Sequence, residues 1–462
     1  MARRISKVEI SGLQDTFDYE VSFPSGSDNV ILIAPNGFGK TALLAVLNAC
    51  LQFRLAAAAR FNFQELNVTF DDGSRWNFKR ARDSAEYAAA MRRPAASRVY
   101  RTARAREWVR FTSFDVNGFE MSAPADALLN LPTNVLFRAI ETVLPVSRET
   151  YDTFRLMTTG DVLTVPEIIE KYRDRFLNDD DFRAALGPRI EGLLRPDDEK
   201  VNCVFIETQR LLHAARSAER QDGEQTRHEE EITRQSQHLS ALLQGVYSSY
   251  ASISQDLDRS FPNRLISRAA SAYKSELNSL RSDLESIEGR RKALTDAGIL
   301  VESAAPIVAP KDEFLGNVAD ALEIYVEDSR KKLSIFDEIF PKVSVFRDLM
   351  NKKFRPKELI IGRQSGIFVQ RGDKNINLEG LSSGEKHEFI MLFRLIFETP
   401  DRSLVLIDEP EISLHVVWQM EFMSDLQSIQ KANPFQAIIA THSPQIFQGM
   451  DDFIVDLADQ AS

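Results

Sequence analysis

The order of apolar and polar positions divides the chain into stretches of different period. Asn29-Val30-Ile31-Leu32-Ile33 is an apolar run without alternation, the pattern of a strand buried on both faces. A turn follows, and Thr41 to Ala58 is helix-forming and apolar almost all round, which predicts a central buried helix. Phe61 to Phe70 and Arg75 to Lys79 flank Asp71-Asp72-Gly73 and predict a hairpin. Residues 126–200 predict mostly helix, and Val201 to Thr208 returns to a buried strand.

The middle of the chain has another rhythm. Arg216 to Arg234 is charged and poor in apolar residues, which predicts a mobile connector. Beyond it Leu239, Leu242, Val246, Tyr250, Ile253 and Leu257 recur at spacings of three and four, and Phe261-Pro262-Asn263 interrupts them. Tyr273, Leu277, Leu280, Leu284, Ile287 and Leu294 form a second series. A spacing near 3.5 keeps one seam of two helices in register. Roughly 28 helical residues would give an arm about 40 Å long. Leu315, Val318, Leu322 and Tyr325 suggest a third helix.

Strand signals return at Glu358-Leu359-Ile360-Ile361 and Gly366-Ile367-Phe368-Val369, and the last hundred residues alternate strands with helices. The pattern therefore predicts one α/β domain, a mixed sheet with flanking helices, built from both chain ends. Its expected parts are an N-terminal lobe (1–125), a helical subdomain (126–200), a core strand (201–213), a helical coiled-coil insertion (214–356) and a C-terminal lobe (357–462).

Two of the predicted strands end in residues with chemical potential. Ala34-Pro35-Asn36-Gly37-Phe38-Gly39-Lys40-Thr41 stands between a buried strand and a helix, where a phosphate-binding loop must lie. Small residues there let backbone N–H groups curl around phosphates, and the helix N-terminus adds its positive end. Lys40 would reach the phosphates as a point charge, and the Thr41 hydroxyl would ligate Mg²⁺. Ala34 occupies the position where such loops usually carry their first glycine. In Leu404-Val405-Leu406-Ile407-Asp408-Glu409-Pro410 a buried strand delivers two carboxylates to its C-terminal edge, where parallel sheets place ligands. Asp408 suits the Mg²⁺ site, and Glu409 can orient or deprotonate a water that attacks the γ-phosphate.

Composition narrows the classes. The chain has 462 residues, 43% of them apolar, and a net charge of −11. No apolar run of membrane-spanning length occurs, and no apolar stretch follows the basic N-terminus as in a secretory signal. Two cysteines make no disulfide framework, so a reducing cytoplasm is the expected setting. The acidic balance disfavours a protein that coats DNA. Yet residues 79–110 reverse the sign, with Lys79, Arg80, Arg82, Arg92, Arg93, Arg98, Arg101, Arg104, Arg106 and Arg110 against three acids. That stretch could hold nucleic acid or an acidic phage protein that mimics DNA.

A resemblance sharpens this reading. Leu381-Ser382-Ser383-Gly384-Glu385 resembles the signature loop of the ABC ATPase superfamily, with Ser383 in place of a glycine. In that superfamily the loop contacts nucleotide held by the opposite subunit, which implies roles for Ser382, Ser383, Gly384 and Glu385. Ile438-Ile439-Ala440-Thr441-His442-Ser443-Pro444 ends in a residue that resembles the switch histidine. Gln209, after the strand Phe205-Ile206-Glu207-Thr208, is placed like the glutamine that joins the metal site to the helical lobe. The segment Asp408-Glu409-Pro410-Glu411-Ile412-Ser413-Leu414-His415 is similar to the SMC, RecF and OLD branch. Within it, Leu381-Ser382-Ser383-Gly384-Glu385-Lys386-His387-Glu388 looks like the ATPase subunits of antiphage systems such as PARIS and Septu.

The resemblance implies an ATPase with ATP and Mg²⁺ as cofactors, acting at a head-to-tail dimer interface. It further implies a sensor or scaffold that controls a separate effector nuclease in a prokaryotic antiphage system. OLD nucleases carry a Toprim domain after the switch histidine, and the short stretch after His442 makes a nuclease on another chain the expectation. The alternative is a DNA-repair ATPase of the RecF and SMC kind that binds DNA itself.

Overall fold

The computed structural model describes residues 3–82 except 53 and 59, then 107–114, 120–124, 133–149, 153–157, 162–164, 168, 172, 175, 201–207, 222–269, 277–300, 312–362 and 366–460. The chain forms two compact units, the first comprising Met1–Gln209, Pro400–Ile412 and Phe435–Ser462, the second Arg210–Thr399 and Ser413–Pro434.

In chain order the strands are β1 (Ile5–Leu13), β2 (Phe17–Ser22), β3 (Asn29–Ile33), β4 (Glu65–Phe70), β5 (Arg75–Arg82), β6 (Glu107–Phe114) and β7 (Glu120–Pro124). There follow β8 (Val146–Arg148), β9 (Thr153–Leu156), β10 (Val162–Thr164), β11 (Cys203–Glu207), β12 (Glu358–Gly362), β13 (Gly366–Arg371) and β14 (Lys374–Ile376). The last three are β15 (Leu404–Asp408), β16 (Gln436–Ala440) and β17 (Ile454–Asp456).

The first unit is built on a five-stranded sheet in the order β11-β15-β16-β3-β17, parallel throughout. The N-terminal strand β3 lies between two strands from the far end of the chain, so the two ends interleave as the sequence predicts. β3, β15 and β16 are apolar runs without alternation because both their faces are covered. Helix α1 (Lys40–Leu51) packs on this sheet and is buried along most of its length. It ends at Leu51 rather than continuing to Ala58, and a separate turn of helix spans Leu55–Ala58.

A six-stranded antiparallel sheet, β2-β1-β4-β5-β6-β7, completes this unit's main core. The β4–β5 hairpin turns at Asp71-Asp72-Gly73, where Gly73 takes the positive φ of 83° that the turn requires. The Gln436 side chain of β16 joins the two sheets, accepting from the Ile5 N–H at 2.8 Å and donating to the Ile5 carbonyl at 2.9 Å. The expected helical stretch 126–200 is corrected: its described residues include the helix Thr133–Val143 but also the three-stranded sheet β10-β9-β8. Thr153–Leu156 alternates burial strictly, a strand period that helix-forming neighbours mask in the sequence. The residues from 83 to 106, which carry most of the basic stretch, lie outside the described residues.

The second unit holds helices α2 (Asp222–Ala269), α3 (Leu277–Asp296), α4 (Asp312–Ser334), α5 (Ile339–Lys353), α6 (Ser383–Phe393) and α7 (Val416–Ala432), with the sheet β12-β13-β14. Residues 357–399 and 413–434 thus group with the helices rather than with the parallel sheet.

Two sequence expectations for the middle region fail here. Residues 222–234 are not a connector but the start of α2, a 48-residue helix about 70 Å long. Ion pairs replace the missing apolar stripe: Arg234 bonds Glu231 and Glu398, and Arg394 bonds Glu231. Pro262 does not interrupt α2. Proline removes one helical N–H bond, and next to it the Leu257 carbonyl accepts from the Arg264 guanidinium at 2.9 Å and the Ser260 hydroxyl at 3.1 Å.

The expected seam between two helices is also replaced. α2 and α3 each pack against α4, through Leu280, Leu284 and Ile287 of α3 and through ion pairs such as Arg264–Asp328, Lys332–Asp258 and Arg330–Asp283. On α2 the buried apolar positions among the described residues are Ile232, Leu239, Leu243 and Tyr247, while Ile253 of the predicted series is exposed.

Candidate functional site

The carboxyl edge of the parallel sheet is brought level by its register. Glu207 of β11 pairs with Asp408 of β15, Asp408 with Ala440 of β16, and Ala440 with Leu32 of β3. The loop Ala34–Gly39, the acids after β15 and the Thr441-His442-Ser443 segment therefore leave the sheet side by side.

The loop turns on Gly37 and Gly39, at φ 93° and 73°. A Cβ at Gly37 would meet nothing within 4 Å, whereas one at Gly39 would lie 3.3 Å from the Leu13 side chain. Gly37 thus keeps an open face for a ligand, and Gly39 serves close packing. Gly39 caps α1 with no side-chain hydrogen bond, so the amides of the first helical turn point outward unclaimed by a cap. The loop is braced from below: the Tyr19 hydroxyl donates to the Phe38 carbonyl at 2.7 Å, and Phe17 stacks on both Tyr19 and Phe38. Burial pushes the Tyr19 phenol up to about 12, so it stays a donor at any working pH. Asn36 is exposed at the loop's crest.

Lys40 is buried, and its Nζ donates to the Ala34 carbonyl at 2.7 Å and lies 2.7 Å from His442 Nε2. Burial pushes this ammonium down, against the pull of Glu409, Asp408, Glu411 and Asp456. The Thr41 hydroxyl stands beside the Asp408 carboxylate and favours its ionised form, bringing the residue after the loop to the end of β15. Asp408 is only 4% exposed. Burial raises its carboxyl to about 6, with Glu409 and Glu207 pushing the same way and Thr41 and Lys40 opposing. Among the described residues no three His, Cys, Asp or Glu side chains converge on a metal position. Thr41 and Asp408 are hard oxygen donors of the kind Mg²⁺ takes one or two at a time, with phosphate oxygens and water filling the rest. The pair fits that ion.

This arrangement predicts a stability effect. Asp408 has a folded-state pKa above its unfolded one, so its contribution is full at low pH and lost as pH rises through about 6. In chelator, Asp408→Asn is expected to raise the unfolding free energy by about 1–3 kcal/mol at pH 7.5. The gain should shrink toward pH 5, as urea denaturation would register. An equal loss of stability at both pH values would contradict the assignment.

Glu409 adopts φ 49°, a left-handed conformation that costs a non-glycine residue about 1–2 kcal/mol. Its N–H donates to the Ala440 carbonyl at 2.8 Å, and its Oε1 lies 3.8 Å from His442 Nε2. Lys40, Thr41, Asp408, Glu409 and His442 are therefore one cluster in the first unit.

The Ser382–Glu385 loop belongs to the second unit and opens α6. Ser382 caps the helix and Glu385 closes a reciprocal capping box. The Lys357 ammonium donates to both Glu385 carboxylate oxygens at 2.9 Å. Burial alone would raise the Glu385 carboxyl, but the bonds from Lys357 and Ser382 hold it below the usual range. Ser383 and Gly384 form the first turn of α6. Gln209 lies outside the described residues. Tyr19, Glu207, Lys357 and Glu411 were not singled out from the sequence, although Glu207 and Glu411 stand inside the motifs that end β11 and follow β15.

A level parallel edge with a glycine-turned loop, a lysine, a threonine and two carboxylates is in keeping with an AAA-type ATPase domain. The family described as "AAA domain, putative AbiEii toxin, Type IV TA system" matches residues 168–447, more than half of the chain, which belongs to it. Protein ea59 of Escherichia phage lambda is 40% identical over 68 residues, 15% of this chain; the chain spans 13% of that relative's length. The Smc head domain with an extended coiled coil, bound to the C-terminal domain of ScpA and derived from Pyrococcus furiosus, is 14% identical. That likeness covers 99% of this chain and 95% of the other, with a TM-score of 0.34. The SmcHead bound to the C-winged helix domain of ScpA is 13% identical over 97% of this chain and 91% of its own, with a TM-score of 0.32. Among the described residues no helix is long and apolar enough to cross a membrane.

Proposed function

We propose that this chain binds and hydrolyses ATP with Lys40, Thr41, Asp408, Glu409 and His442. The observation that carries the reading is the cluster at the carboxyl edge of the sheet, where Lys40 Nζ lies 2.7 Å from His442 Nε2 and that nitrogen 3.8 Å from Glu409, with Thr41 and Asp408, two candidate metal ligands from opposite chain ends, beside them. In this reading Lys40 leaves the Ala34 carbonyl and the His442 ring to meet the β- and γ-phosphate oxygens. The loop amides and the first turn of α1 hold the remaining phosphate charge. Thr41 and Asp408 would hold Mg²⁺, which would supply charge neutralisation to the phosphates. Glu409 takes a proton from water as its oxygen attacks the γ-phosphorus. The bond to the β-phosphate oxygen breaks, and ADP and inorganic phosphate leave. His442, released from Lys40, contacts a γ-phosphate oxygen.

The ABC resemblance adds a second copy, whose Ser382–Glu385 loop covers the γ-phosphate, so that ATP closes a head-to-tail homodimer and hydrolysis reopens it. The resemblance to the OLD branch and to PARIS and Septu ATPases supports a sensor or scaffold role in an antiphage system with a separate effector nuclease. The family's description, which names a toxin of a type IV toxin–antitoxin system, supports a place among such systems. Cys50 and Cys203 are buried free thiols whose pKa values burial pushes up, in keeping with a reducing cytoplasm. The long helix α2 favours the second reading, a RecF- or SMC-like ATPase; duplex DNA bound by the chain alone, with affinity falling steeply in salt, would decide for it.

Lys40→Ala tests the reading. It removes a charged phosphate contact and is expected to weaken ATP binding by about 100-fold or more, read by calorimetry. Affinity equal to the parent's would overturn it.

A further inference from the structure

Glu411 is an acid with no part in the hydrolytic steps. It follows β15 in the short turn Pro410–Ser413, and its two carboxylate oxygens reach across to the segment that leaves β16. One accepts from the Thr441 hydroxyl at 2.8 Å and the other from the His442 backbone N–H at 2.6 Å. Thr441 is fully buried, its N–H donates to the Leu32 carbonyl, and its hydroxyl accepts from the Ser443 N–H at 3.0 Å. The His442 ring leaves this clamp within reach of both Lys40 and Glu409.

We propose that Glu411 is the positioning residue for His442. A planar carboxylate that accepts from two donors on adjacent residues fixes the backbone at residue 442, and with it the direction of the imidazole. A charged acceptor makes these bonds shorter and about twice as strong as neutral ones. The clamp also ties the end of β16 to the turn that follows Glu409, so the histidine and the general base keep one spacing. Glu411 itself touches no substrate atom; it acts through His442. The inference rests on the proposal that His442 contacts the γ-phosphate.

The test is steady-state ATP hydrolysis by the full chain as Glu411→Ala, Glu411→Gln, His442→Ala and the Glu411→Ala/His442→Ala double variant. Glu411→Ala is expected to lower kcat about 10- to 100-fold, the cost of removing a residue that orients a reacting group. KM for ATP should change less than about threefold, because Lys40 and the loop amides remain. Glu411→Gln should fall between, since its amide oxygen accepts from one donor while its NH₂ faces the other. In the His442→Ala background the Glu411 change should cost less than about twofold, because its target is gone. Equal losses in both backgrounds overturn the proposal, as does parent-like kcat in Glu411→Ala. If Glu411→Ala does not fold, Glu411→Gln with and without His442→Ala makes the same distinction. An impaired His442→Ala beside an unimpaired Glu411 variant sinks the clamp alone; a parent-like His442→Ala sinks the reading of His442 and the clamp with it.

Discussion

Glu409→Gln is expected to bind ATP with parent affinity and to hydrolyse it about 10²- to 10⁴-fold more slowly, the range for removing a general base. Glutamine keeps the size of the side chain and the hydrogen bond from the backbone N–H to Ala440, so the left-handed turn at this position survives. What it cannot do is accept a proton from water. The strained backbone supports the assignment. A side chain held at φ 49° beside His442 is paid for by its surroundings only where its direction matters. If closure of the dimer needs intact ATP, this variant should accumulate as an ATP-bound dimer in light scattering. Hydrolysis at the parent rate would remove Glu409 from the role.

Lys353→Met is expected to destabilise the second unit by about 3–5 kcal/mol, the cost of breaking a buried ionic network by removing one partner. Lys353 Nζ lies 3.0 Å from Glu388 and 2.8 Å from Asp425, with side-chain exposures of 2%, 1% and 7%. These residues tie together α5, α6 and α7, and the ammonium also stands over the Trp418 ring. Burial pushes the Lys353 ammonium down, but the two carboxylates carry it above its ordinary value; burial pushes Glu388 up. Without the lysine, two carboxylates would share an apolar site and take up protons. Their folded-state pKa values would then exceed the unfolded ones. The stability they allow would be present at low pH and lost as pH rises. The deficit should accordingly be larger at pH 8 than at pH 5.5 in urea unfolding. Restoring stability with the neutral set Lys353→Met, Glu388→Gln and Asp425→Asn would confirm the electrostatic cause. A loss independent of pH would point to packing instead.

The parts of the site that the sequence disclosed are those written in consecutive residues. β3, β15 and β16 are unbroken apolar runs because a parallel sheet buries both their faces, and the residues just past each run fall at its carboxyl edge by construction. Lys40, Thr41, Asp408, Glu409 and His442 could therefore be placed before any coordinates. Tyr19, Glu207 and Lys357 could not, because each acts on a partner chosen by tertiary register: the Phe38 carbonyl, Asp408 and Glu385. Glu411 was visible as a letter in a motif, but its two donors are about thirty positions away. The helical region misled for a different reason. Apolar periodicity is the signal for a helix, and α2 begins where ion pairs with Arg394 and Glu398 take its place. At Pro262 the usual helix-breaking rule does not hold, and α2 runs on to Ala269.

The proposed function requires Thr41 and Asp408 to serve one magnesium-bound triphosphate. Calorimetric titration of ATP in the presence of Mg²⁺ into the parent chain, Thr41→Ala, Asp408→Ala and the double variant measures this directly. Two ligands of one ion lose most of their value together, so the double variant should bind little worse than the weaker single one. Losses that add in full, or single variants that keep the parent's magnesium-dependent affinity, would contradict the account.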